Sequence, residues 1–112
     1  MSIEKLLITT EKKSALTEIQ KILITEYGVV ELVAFGPGVK SEAAEGTVPE
    51  LLALTENPVS FQERQAIMDM VAGINQKYNT SFTLLVFDKA TWEVWAGQTL
   101  YQEVKRDGLQ IW

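Results

Sequence analysis

The segment Leu-Val-Ala-Phe-Gly-Pro-Gly-Val-Lys-Ser-Glu-Ala-Ala-Glu-Gly-Thr-Val-Pro-Glu-Leu-Leu-Ala-Leu-Thr, residues 32–55, decides the fold. It opens inside an apolar run, Val29 to Phe35, that is β-branched and aromatic with Glu31 as its only charge. That is the pattern of a strand buried over most of its length. Gly36, Pro37 and Gly38 end it. Ser41 to Gly46 is short, polar and alanine-containing, which suits one helical turn, and Gly46-Thr47 makes a bend. A second apolar strand is expected over Glu50 to Thr55, and two strands so near in sequence are expected to be neighbours in space.

Before this segment, Ala15, Leu16, Ile19, Ile22 and Leu23 recur at a spacing of three and four, giving a helix from about Glu11 to Glu26 one sticky face. Thr10 is its candidate N-cap and Gly28 its stop. Ile3 to Ile8 suits either a helical turn or an edge strand. After it, Asn57-Pro58 breaks the chain and Ser60-Phe-Gln-Glu63 has the form of a capping box. The helix it opens presents Ile67, Met70, Val71, Ile74 and Tyr78 on one face, the methionines reading as core filler. A third strand is expected over Phe82 to Phe87. Asp88 is placed to cap a further helix beginning near Lys89, and Gly97 divides that helix. Leu100, Tyr101 and Val104 give the later piece an apolar face, Lys105-Arg106-Asp107-Gly108 its basic end, and Leu109 to Trp112 a tail that packs or pairs.

At 112 residues this is one small domain, 1–112. Hydrophobic residues make up 46% and charged residues 22%, a balance that argues for a packed core and against disorder. Neither a signal-peptide pattern nor a long apolar span is present, so a soluble cytoplasmic protein is expected, with no membrane association. With no cysteine and no histidine, disulfides, thiolate catalysis, Ser-His relays and ordinary zinc sites are excluded by inventory. The net charge of −5, with basic residues scattered, disfavours nucleic-acid binding by this chain alone.

Residues 32–55 also resemble the signature of minimal nucleotidyltransferases, small relatives of the polymerase-beta catalytic domain. The resemblance rests on Phe35-Gly36, the interval to Glu50-Leu-Leu-Ala-Leu54, the long helix and third strand that follow, and the closure from Tyr101 to Leu109. It extends from about Ala15 to Ile111. It implies an α+β, nucleotidyltransferase-like fold: a two-layer mixed β-sheet with helices packed on one face. It also implies a site, and that site is degenerate here. Pro37 stands where the family has the serine of a Gly-Ser turn, Val48 and Glu50 stand where it has Asp-x-Asp, and Thr83 falls where it has a third carboxylate. Asp88, at the far end of the third strand, is a poor substitute. Nucleotidyl transfer needs several carboxylates to hold its metal ions; valine coordinates nothing, and proline offers neither hydroxyl nor N–H.

The expected function is therefore non-catalytic: protein contact, with a protein partner or a second copy, possible in this family as the antitoxin of a helical HEPN-type toxin. No cofactor and no metal are expected. The alternatives are an active enzyme in which Glu50 and a loop glutamate, Glu42 or Glu45, hold Mg²⁺ with a nucleotide, or nucleotide binding without turnover through Gly36, Lys40 and Glu50. Trp92 reads as core, Trp95 and Trp112 as interface residues.

Overall fold

The computed structural model describes residues 2–112. A short 3-10 turn, Ser2–Lys5, precedes helix α1, Thr10–Tyr27. Then come strands β1, Val29–Phe35, and β2, Glu50–Thr55, helix α2, Phe61–Tyr78, and strand β3, Leu84–Asp88. Two short helices, α3 (Lys89–Val94) and α4 (Thr99–Asp107), and a two-residue strand β4, Leu109–Gln110, complete the chain. The sheet order is β3-β2-β1-β4; β1 runs antiparallel to both β2 and β4, and β2 runs parallel to β3. This is the α+β, mixed-sheet architecture expected from the sequence.

Alternation along the strands divides the core into two layers. Leu32, Ala34, Leu51, Ala53, Leu84 and Val86 face α1 and α2. Phe35, Leu52 and Leu54 face the other way, where Trp92, Tyr101 and Val104 meet them. The two long helices thus lie on one face as expected, while α3 and α4 add a smaller cover over the opposite face. Trp92 is buried at 2% exposure, stacked between Phe87 and Tyr101 with ring centroids 5.4 and 5.1 Å away.

Local chemistry sets the element ends, with a few differences from the sequence reading. Thr9, not Thr10, caps α1, its hydroxyl accepting from the Lys12 N–H at 3.4 Å. Either threonine suits the role, and the chain turns helical one residue earlier. Gly28 stops the helix in the left-handed region at φ 64°. The Ser60–Glu63 capping box forms in both directions. Residues 41–46 hold no helical turn. The third strand begins at Leu84 rather than Phe82, because the Asn75 side chain takes over that backbone: its Oδ1 accepts the Phe82 N–H and its Nδ2 donates to the Phe82 carbonyl, both at 2.9 Å.

Candidate functional site

The geometry of the sheet gathers four of the expected positions. β1 ends where β2 and β3 begin, so the Gly36-Pro37 turn, Glu50 and Thr83 share one end of the sheet. Phe35 lies opposite Glu50, and the Leu51 N–H donates to the Thr83 carbonyl at 3.0 Å. A Cβ added to Gly36 would sit 3.5 Å from Glu50 Oε2, so the glutamate side chain lies directly over the turn. Gly36, Pro37, Glu50 and Thr83 are all exposed.

Val48 does not join them. It is 9% exposed and packs in the layer with α1 and α2, while Glu50 points away into solvent. Its place is that of a core residue. Lys40 also turns elsewhere: its Nζ donates to Asp107 Oδ1 at 2.7 Å, tying the loop after β1 to the end of α4. Asp107 receives Arg106 as well, and with Lys40 this second cation holds its carboxyl down at about 2. The Lys40–Asp107 pair, separated by 67 residues, left no signal in the sequence, where Asp107 read only as part of a basic helix end.

The loop itself is stitched to the N-terminal segment rather than left open. The Leu7 N–H donates to the Gly38 carbonyl at 2.7 Å, and the Ala43 N–H donates to the Leu7 carbonyl at 3.2 Å. Gly38 has φ 84°, and a Cβ there would come within 2.6 Å of Ile8 Cγ2, so only glycine fits. Glu42 and Glu45 line a shallow cleft with Leu6, Lys12 and Lys13 at the start of α1, apart from Glu50. Among the described residues, no three carboxylates converge. Asp88 sits at the opposite end of β3, where it caps α3; hydrogen bonds from Thr91 hold its carboxyl below the usual range.

A divalent-ion pair with a triphosphate therefore finds one carboxylate, Glu50, no hydroxyl in the turn, and a lysine already paired. This donor set does not fit that group. The expected interface residues are exposed, Trp95 at 38% and Trp112 at 48%, and Trp95 stacks on Phe87 with centroids 5.3 Å apart.

No family profile and no curated protein matches this sequence. Among solved structures, the chain is similar to one in the crystal structure of the toxin–antitoxin pair MntA–HpeT, a mutant with two aspartates changed to glutamate. The TM-score is 0.57 at 14% identity, covering 88% of this chain and 72% of that one. What the two share is the fold, a mixed four-stranded sheet with helices. At this identity the likeness speaks for the fold alone. Of the positions Gly36, Pro37, Glu50 and Thr83 gathered at this end of the sheet, one, Glu50, is a carboxylate.

Proposed function

We propose that this chain is a nucleotidyltransferase-like domain that works through protein contacts rather than nucleotide chemistry, as the antitoxin-like partner of a helical, HEPN-type protein in the cytoplasm. The observation that supports the reading is the isolation of Glu50, which lies alone over the Gly36-Pro37 turn, while Val48, at the other position of the motif, packs in the core layer with α1 and α2. The pairing of Lys40 with Asp107 supports it, since the one lysine of that loop is already engaged. The toxin–antitoxin context of the MntA–HpeT structure supports the choice of partner class. Among the described residues no helix is long and apolar enough to cross a membrane.

Two measurements on one preparation test this. Titration with ATP, GTP, CTP and UTP plus Mg²⁺ is expected to leave the melting temperature unchanged and to release no pyrophosphate. Co-expression with a helical protein encoded beside it is expected to give a stable complex. Pyrophosphate release that disappears in Glu50→Ala would overturn the proposal in favour of an enzyme with an altered metal site. A nucleotide-dependent rise in melting temperature without release would instead make the chain a nucleotide-binding module.

A further inference from the structure

One side of α1 is polar in sequence and apolar in chemistry. Thr10, Ser14, Thr17 and Lys21 recur at a spacing of three and four, so they form a row along the helix, and all four are exposed. The row lines two clefts that share Thr17 and Gln20 and so make one groove, with Ile3 in its first half and Ile24 and the exposed Trp112 in its second. Its central polar groups are already committed. The Thr17 hydroxyl donates to the Lys13 carbonyl and the Thr25 hydroxyl to the Lys21 carbonyl, both at 2.8 Å, and Gln20 Nε2 donates to the Ile111 carbonyl. With those donors spent inside the molecule, these side chains leave a partner mainly carbon to touch.

The charge of the groove is the reverse of the chain's. Lys13 and Lys21 line it, and Glu4 is the one carboxylate among the described residues that do so, within a protein of net charge −5. The acids of α1, Glu11, Glu18 and Glu26, lie off the groove, and Glu18 is held by Lys77 of α2 at 3.2 Å. Lys13 Nζ donates to the Glu4 carbonyl, and neither lysine meets a carboxylate among the described residues. The backbone hydrogen bonds of α1 are closed within the helix, so the groove offers an extended segment no ladder, whereas a helix brings its own bonds. Ser14 and Thr17 are small enough for a second helix axis to approach to about 8–10 Å. Lys13 and Lys21 stand about 12 Å apart along the axis, at about 1.5 Å per residue, close to the length of two helical turns.

We propose that the groove along α1 docks an acidic amphipathic helix of a partner protein, its apolar residues spaced by three and four over Thr17 and Trp112, its carboxylates two turns apart against Lys13 and Lys21. A second copy of this chain fits less well, because two α1 helices packed antiparallel through Thr17 would set each Lys13 against a Lys21.

The groove rests on the protein-contact reading, and the two fail separately: nucleotide turnover would end that reading and leave peptide binding at α1 standing. The test is titration of the full chain with a helical peptide carrying leucines at a spacing of three and four and glutamates two turns apart, followed by tryptophan fluorescence and amide NMR shifts. Emission is expected to move to the blue as Trp112 leaves water, with shifts confined to α1 and residues 109–112. Trp112→Ala and Thr17→Arg, each checked for an unchanged circular dichroism spectrum, should weaken binding by about ten-fold or more, as expected where an apolar anchor is lost or blocked. Lys21→Glu should weaken it by about five-fold or more at low salt and favour a peptide with lysine in place of glutamate. Lys105→Glu, the same charge change on α4 across the sheet, should do neither. The proposal is overturned if no binding develops, if the lysine peptide binds the unaltered chain equally, or if Lys105→Glu matches Lys21→Glu. Self-association that Thr17→Arg abolishes in the absence of peptide would also overturn it, in favour of a second copy.

Discussion

Lys40 Nζ and Asp107 Oδ1 lie 2.7 Å apart, joining the loop after β1 to the last residue of α4. Both side chains reach solvent, at 68% and 31% exposure, so the pair acts on loop position and titration more than on global stability.

The first prediction is a titration. The Asp107 carboxyl, lowered from 3.8 to about 2 by Arg106 and Lys40, contributes its stabilisation fully above pH 3.8 and loses it as pH falls toward 2. Carboxyl NMR should show Asp107 titrating well below its ordinary value of 3.8. Arg106→Ala should raise its midpoint, and Lys40→Ala should raise it as well while loosening residues 36–41.

Val48→Asp, which restores an aspartate to the sequence pattern, should not restore a metal site. The side chain enters the apolar layer beneath α1 and α2. Burying a charge or its unpaired acid there should cost about 3 kcal/mol or more in denaturant unfolding. Mg²⁺ should recover none of it.

Asn75 makes three hydrogen bonds at 2.9 Å, two to the Phe82 backbone and one from the Thr80 hydroxyl, and so fixes the turn between α2 and β3 that presents Thr83. Asn75→Ala should destabilise the fold by about 2 kcal/mol. Faster amide exchange at Phe82 would locate the loss.

Gln20 is 4% exposed and its Nε2 donates to the Ile111 carbonyl at 2.9 Å. Gln20→Leu leaves that carbonyl without its side-chain donor. The expected cost is about 1–2 kcal/mol, with fraying of residues 109–112 visible in amide exchange.

The elements that sequence revealed are those whose cause is local. The Ser60–Glu63 box, the Asp88 cap and the Gly28 stop each act within a few residues, and each is present. Apolar periodicity likewise identified Ala15, Leu16, Ile19 and Leu23 as the buried face of α1. What sequence left hidden is set by distant partners. By resemblance Val48 reads as a lost ligand, but it packs in the core cluster that includes residues of α1 and α2. The cover over Phe35, Leu52 and Leu54 depends on how α3 and α4 fold back, which no periodicity states. The glycine turn, Glu50 and Thr83 were legible as one end of a sheet because strand order alone brings them together.

The pairing of β1 carries a consequence for how the chain is assembled. On one side its partner is β2, available once about 55 residues have been made; on the other, the Leu32 N–H waits for the carbonyl of Trp112, and its carbonyl for the Ile111 N–H. Contacts so far apart in sequence form late and open early. During synthesis the nascent sheet therefore displays the bare flank of its middle strand until residues 109–112 clear the ribosome, and a chaperone or a neighbouring polypeptide has that interval in which to reach it.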